Sequence, residues 1–279
     1  MSKKTATTAY GEQITVEEQG SILCDSLSFA GAEAYKRLRT NLLLSFPEKQ
    51  QCRVLGITSA VRGEGKSVTA INLAYTFAQT GKKVLLVEAD MRLPNHAKRL
   101  GLKETPGLSN LLVGMAKGSD VLQRTQQLNN FYVITAGDVP PNPSELLGAE
   151  RMKECIQAFT ESFDIVIVDL PPVDVVTDAL TISRQVDGFV FVVRQEYSER
   201  ALVARALDQL SIVEARILGI VMNQAIAKGK NYRYHKKYDS YHYEYGEGVQ
   251  KNADAEQESE EAAKEAVEQS AQQTDERSE

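Results

Sequence analysis

The chain has no tryptophan, only three cysteines and three histidines, and no long run of apolar residues. Cys24, Cys52 and Cys155 are scattered and odd in number, so neither a disulfide framework nor a zinc-binding spacing follows from them. A reducing compartment is expected. Apolar runs such as Phe189–Val193 fall far short of the roughly 20 residues a membrane helix needs. Ser2, Lys3 and Lys4 lead into no apolar core, so no secretory leader is expected. What remains is the composition of a cytosolic globular protein, 42% hydrophobic and 25% charged.

The net charge of −6 is unevenly spread. Residues 251–279 hold ten acids and three bases, a net of −7 that leaves +1 for everything before them. Rich in Glu, Gln, Ala and Ser, and without Phe, Ile, Leu or Tyr, that end cannot bury enough surface to offset the entropy of ordering it. A disordered acidic tail is expected over 246–279.

From Arg53 to Asn223, short β-branched runs alternate with amphipathic stretches. Strands are expected at 53–58, 84–88, 131–135, 165–169, 189–193 and 217–222. Helices are expected at 30–45, 66–80, 108–113, 145–163, 179–185 and 199–213. Several strands are apolar throughout, as in a parallel sheet covered on both faces. The expectation is a doubly wound, mostly parallel α/β sheet, with its ligand site beyond the carboxyl ends of the strands.

Ala60-Val61-Arg62-Gly63-Glu64-Gly65-Lys66-Ser67 has phosphate-loop spacing, with Ala in place of the first Gly, between an expected strand and an expected helix. Gly63 and Gly65 let backbone N–H groups converge on phosphate oxygens at a positive helix end. Lys66 is expected to reach the β and γ phosphates of ATP, and Ser67 to hold Mg²⁺. Two strands end in acids: Glu88 and Asp90, followed by Arg92, and Asp169 after four apolar residues. Asp169 is the expected Mg²⁺ partner, and Asp90 or Glu88 the acceptor of a hydroxyl proton.

In these motifs the sequence resembles the bacterial tyrosine kinases of capsule and exopolysaccharide synthesis, in their stand-alone form. Glu33-Ala34-Tyr35-Lys36-Arg37-Leu38-Arg39 near the start and a tyrosine cluster near the end complete the resemblance, which covers about residues 25–245. It implies a P-loop fold of the MinD/ParA-like branch and ATP-dependent autophosphorylation on tyrosine, regulating polysaccharide synthesis and export. Carried over residue by residue, it implies nucleotide binding by Gly63, Glu64, Gly65, Lys66, Ser67, Val68, Arg92 and Asn223, the last at adenine. Glu88, Asp90 and Asp169 become catalytic acids beside Lys66, with Ser67, Asp90 and Asp169 at the metal. Glu88 stands where the family usually has Asp. Glu33, Lys36 and Arg39 would pack subunits into a ring, with Lys36 in place of the more usual arginine. Further implied partners are a transmembrane co-polymerase-type activator, which would hold the chain at the inner face of the membrane, and a cognate phosphotyrosine phosphatase. The expected layout is a flexible segment over 1–28, the kinase domain over 29–224, the tyrosine cluster over 225–245 and the acidic tail. The rival reading is a MinD/ParA-like positioning ATPase, but Val61 stands where those proteins carry a signature lysine.

Six of the eleven tyrosines lie within fourteen residues: Tyr232, Tyr234, Tyr238, Tyr241, Tyr243 and Tyr245, interleaved with lysine, arginine and histidine. A nucleic-acid arm would share that pattern, although no nucleic-acid partner is expected beside a phosphate loop and a kinase resemblance. Tyr232 lies nine residues past Asn223, a reach of at most about 30 Å, so the cluster can return to the rim of its own sheet or a neighbour's. Each phosphotyrosine would add about −1.5 to −2 charge, enough to reverse the sign of this basic segment.

Overall fold

The computed structural model describes residues 27, 29–46, 52–126 and 128–225, together with a short antiparallel pair, β1 (Ala6–Thr7) and β2 (Gln13–Ile14). The expected tyrosine cluster and acidic tail lie outside the described residues.

After α1 (Phe29–Leu44), the chain alternates strand and helix. In order come β3 (Arg53–Ser59), α2 (Lys66–Ala78), β4 (Val84–Glu88), α3 (His96–Leu100), α4 (Leu108–Leu112), α5 (Gly118–Val121), β5 (Gln123–Arg124) and β6 (Phe131–Ile134). These are followed by α6 (Pro143–Gly148), α7 (Glu150–Ser162), β7 (Ile165–Asp169), α8 (Asp178–Thr181), β8 (Gly188–Arg194), α9 (Arg200–Ile212) and β9 (Ile217–Asn223). Seven strands form one sheet in the order β5-β6-β4-β7-β3-β8-β9. Every neighbouring pair is parallel except β5 with β6.

Alternation along the central strands feeds two cores. Leu55, Ile57, Leu86, Ile165, Ile167, Val190 and Val192 face α2 and the end of α1, where Leu42 and Phe46 are buried. Leu85, Val87, Val166, Val168, Phe189 and Phe191 face the opposite layer, with Leu108, Ile156, Phe159 and Leu210. Each fully buried side chain of this size contributes about 1.5–3 kcal/mol. Burial on both faces is why these strands read as unbroken apolar runs. Helix α2 lies deepest, with eleven of its residues buried, and it fixes the phosphate loop at its start.

The expected helix over 145–163 is broken in two. Ala149 adopts an extended backbone (φ −69°, ψ 152°) between α6 and α7, an interruption that apolar periodicity does not register. The expected helix over 179–185 becomes α8 followed by a 3₁₀ turn over Ser183–Gln185. The short helices α3 and α5 and the antiparallel edge strand β5 carry too few residues to show a period.

Candidate active site

The loop after β3 turns back through two left-handed glycines, Gly63 at φ 79° and Gly65 at φ 91°. Gly65 caps α2, so Lys66, Ser67 and half-buried Val68 form its first turn. The loop is tied down from below. Glu64 is buried; its carboxylate accepts from the Val61 N–H at 2.8 Å and from the Ser198 hydroxyl. Asn223 Nδ2 donates to the Glu64 carbonyl at 3.0 Å, and Arg194 Nη1 to the Gly63 carbonyl at 3.1 Å. Arg194 and Asn223 at the ends of β8 and β9, with Ser198 in the loop before α9, therefore hold a backbone whose N–H groups open at a helix N-terminus, an arrangement suited to an anion.

The acids meet this loop from the neighbouring strands. Lys66 Nζ lies 2.8 Å from Asp90 Oδ2, and Asp90 Oδ1 accepts from the Leu93 N–H at 3.2 Å. Burial disfavours the Lys66 charge, but Asp169, Asp90 and Glu88 outweigh it and hold the lysine above its ordinary range. Glu88 and Asp169 are partners in the parallel register of β4 and β7. Asp169 is buried with both carboxylate oxygens lacking a hydrogen-bond partner among the described residues. Burial pushes its carboxyl up, against the pull of the nearby Lys66 and His96. A buried, unsatisfied carboxylate beside a serine at a phosphate loop is a donor set that fits a hard divalent cation.

Glu88 is different. Its Oε1 accepts from the Asn95 N–H at 2.5 Å, the His96 N–H at 2.8 Å and His96 Nδ1 at 3.0 Å; its Oε2 accepts from the Ala136 N–H at 3.1 Å. Burial opposes its charge, yet the His96 ring and these N–H donors bring its carboxyl down to about 2. The extra methylene of glutamate is spent on holding two loops together. Its oxygens are thus committed to protein donors, whereas those of Asp169 are not.

Other expected site residues are engaged within the fold. Arg92 grips buried Asp178 through Nε at 3.1 Å and Nη2 at 3.0 Å, and also donates to Ser144 Oγ at 2.9 Å. Asn223 is taken up by the phosphate loop. On α1, Lys36 pairs with Glu33 at 2.7 Å, while Arg39 turns inward and donates to the Thr76 carbonyl of α2 at 2.7 Å. Arg39 is thus taken up by α2, whereas Glu33 and Lys36 pair with each other. His96, Ser198, Arg194, Ala136 and Asp178 went unrecognised in the sequence. His96 could have been noticed as a histidine six residues past Asp90, but the others act through backbone or long-range contacts that leave no local pattern.

Residues 52–227 match the family described as AAA domain. Tyrosine-protein kinase YwqD of Bacillus subtilis is 38% identical over 213 residues, covering 75% of this chain and 88% of the relative. The chain belongs to the bacterial tyrosine-protein kinases. Tyrosine-protein kinase CpsD of Streptococcus agalactiae is 37% identical to this kinase over 195 residues, 69% of this chain and 82% of the relative. Among solved structures, the kinase domain of Escherichia coli tyrosine kinase ETK superposes with a TM-score of 0.65 at 32% identity, covering 71% of this kinase and 79% of that chain. The chimerical protein CapA2B2 superposes at 0.67 with 33% identity, covering 70% and 85%. The septum-site protein MinD of Pyrococcus horikoshii, complexed with Mg-ADP, is 24% identical at a TM-score of 0.53, covering 61% of this kinase and 70% of that chain; it shares the fold.

Proposed function

We propose that this kinase transfers the γ-phosphoryl group of ATP to its own tyrosines, Tyr232, Tyr234, Tyr238, Tyr241, Tyr243 and Tyr245, with one subunit's cluster entering another's site. The grouping of Lys66, Asp90 and Asp169 at the start of α2 carries this reading: one cation, one acid paired with it and one unsatisfied acid. Gly63–Ser67 and the first turn of α2, including Val68, would hold the phosphates, and Ser67 and Asp169 the magnesium, with Asp90 beside them. Magnesium, when bound, supplies charge neutralisation across the phosphates. Once the phosphates draw Lys66 away, Asp90 is free to take the phenolic proton. The tyrosine oxygen then bonds to the γ-phosphorus, the bond to the bridging β–γ oxygen breaks, and ADP leaves. Arg92, tied to Asp178 and Ser144, would hold the loop after β4 around the nucleotide, and Asn223 would keep the phosphate loop in shape near the base.

The same reading gives the kinase a membrane-spanning activator of the polysaccharide co-polymerase type, a location at the inner face of the membrane through that activator, a ring built through Glu33, Lys36 and Arg39 of α1, and a phosphatase that resets the cluster. Capsule or exopolysaccharide synthesis is the process it would regulate. Supporting this reading are relatives named as tyrosine-protein kinases, among them a putative tyrosine-protein kinase CapB of Staphylococcus aureus. Among the described residues no helix is long and apolar enough to cross a membrane.

The deciding experiment incubates the kinase and its activator with labelled ATP and then with alkali, which spares phosphotyrosine. Label retained on peptides spanning 232–245 supports the reading. ATP consumed with those tyrosines unmodified reduces the protein to a positioning ATPase.

A further inference from the structure

The turn that follows β8 lies against the phosphate loop. A Cβ built on Gly63 would stand 2.8 Å from the hydroxyl oxygen of Tyr197, so this phenol closes on the first left-handed glycine of the loop. Arg194, whose Nη1 donates to the Gly63 carbonyl at 3.1 Å, places its guanidinium carbon 5.0 Å from the centre of the Tyr197 ring. The backbone fixes this arrangement. The N–H groups of Tyr197 and Ser198 both donate to the Arg194 carbonyl, at 3.2 and 3.0 Å, and the Ser198 hydroxyl donates to Glu64 of the loop. Yet the ring is not enclosed. Tyr197 is 47% exposed, whereas Tyr75 is buried and Tyr35 and Tyr132 are half-buried. Among the described residues it is the one exposed tyrosine, and it stands beside the nucleotide loop of a tyrosine kinase.

We propose that Tyr197 is itself a phosphorylation site of this kinase, and that its modification switches nucleotide binding off. The proposal rests on the reading of the chain as an autokinase. Exposed side chains change rotamer within nanoseconds, so the phenol can leave Gly63 and enter the site of a second copy. There its oxygen bonds to the γ-phosphorus of ATP, the bond to the bridging β–γ oxygen breaks, the phenolic proton passes to Asp90 of that copy, and ADP leaves. The surroundings of Tyr197 suit the product. Arg194 is already stacked on the ring and Arg62, the exposed neighbour of Gly63, is close by in the chain; guanidinium groups pair readily with phosphate oxygens. Tyr197 also stands three residues before α9, whose first turn favours negative charge. The new group brings about −1.5 to −2 charge to the edge of the loop that is to receive the phosphates of ATP. It also competes for Arg194, an anchor of the Gly63 carbonyl. Both effects oppose the nucleotide, so each modified copy is shut down as a kinase.

The test uses the full chain with its activator, treated with phosphatase and then incubated with magnesium and ATP. Trypsin cleavage after Arg194 and Arg200 frees residues 195–200, in which Tyr197 is the only tyrosine. Phosphate on this peptide is expected, and none when Asp90→Asn is incubated in the same way. Equal labelling of Asp90→Asn would assign the modification to another enzyme and overturn the proposal. Phosphate on peptides spanning 232–245 but not on Tyr197 overturns the proposal alone. Phosphate on neither overturns the autokinase reading and the proposal with it. Affinity for a fluorescent ADP analogue is then compared before the incubation and after it, once ATP has been removed. The wild type is expected to weaken by about tenfold or more, as when like charge is set beside like charge. Tyr197→Phe is expected to show no difference between its two forms, although its other tyrosines are modified. Equal weakening of both proteins, or of neither, would overturn the switch.

Discussion

Lys66 Nζ rests 2.8 Å from Asp90 Oδ2, so the phosphate-loop lysine and the acid just past the end of β4 satisfy one another. Phosphate oxygens would compete for the same lysine, and binding would thereby release the acid. Asp90→Asn should therefore cut tyrosine phosphorylation by about 10²–10⁴-fold, the range for a lost general base, while ADP affinity changes little. Lys66→Met should lose both. Phosphotyrosine formation and nucleotide binding, measured on the same preparations, separate the two outcomes.

Gly65 is the tightest point of the loop. A Cβ there would lie 1.8 Å from Asn223 Nδ2, on a backbone at φ 91° that side chains rarely adopt. Gly65→Ala should cost about 1–3 kcal/mol from backbone strain and weaken nucleotide binding. Adding Asn223→Ala removes the clash but not the strain. Part of the loss should then return in the double variant, measured by denaturant unfolding.

Glu64 works beneath the loop. Glu64→Ala would leave the Val61 N–H and the Ser198 hydroxyl without their acceptor. About 1–3 kcal/mol of stability should be lost, as for buried groups left unsatisfied. Ser198→Ala should cost less, because Glu64 keeps its Val61 contact. Chemical denaturation of both variants checks the order.

Acid should expose the Glu88 clamp. Its carboxyl is lowered from an ordinary 4.5 to about 2, so in the folded state it stays charged where the unfolded chain would bind a proton. That stability is fully present above pH 4.5 and is lost as the pH falls towards about 2. Unfolding free energy measured across this window should fall more steeply for the wild type than for Glu88→Gln. Parallel slopes would remove Glu88 from the account.

The two described cysteines should be inert. Burial raises Cys155 and pushes Cys52 up to about 11, and the thiolate is the reactive form. Native protein treated with iodoacetamide at pH 8 should keep both unlabelled, and unfolding should make both react. Peptide mass spectrometry reads this directly.

The strands were legible because a parallel sheet buried on both faces leaves unbroken apolar runs: Val84–Glu88 and Ile165–Asp169 coincide with their expected spans. The phosphate loop was legible because its glycines and lysine sit at fixed spacing within a few residues. Less could be read where partners are distant in sequence. Nothing local to Asn223 announces its bond to Glu64, 159 positions away, or that of Arg92 to Asp178, 86 positions on. Ala149 shows the opposite failure: an apolar periodicity ran through a position where the backbone is extended. Glu88 was visible as a departure from the usual aspartate, but its purpose needed the geometry of Asn95, His96 and Ala136.

The alignment of β4 beside β7 places Glu88 opposite Asp169, and Val87 opposite Val168. Sliding one strand past the other by a single residue would turn its whole set of side chains to the opposite face, setting a valine where an acid belongs and an acid in the oily layer below. Such a misthreaded chain would be both unstable and inert. For this protein, quality control of folding and assembly of the catalytic centre are therefore a single event.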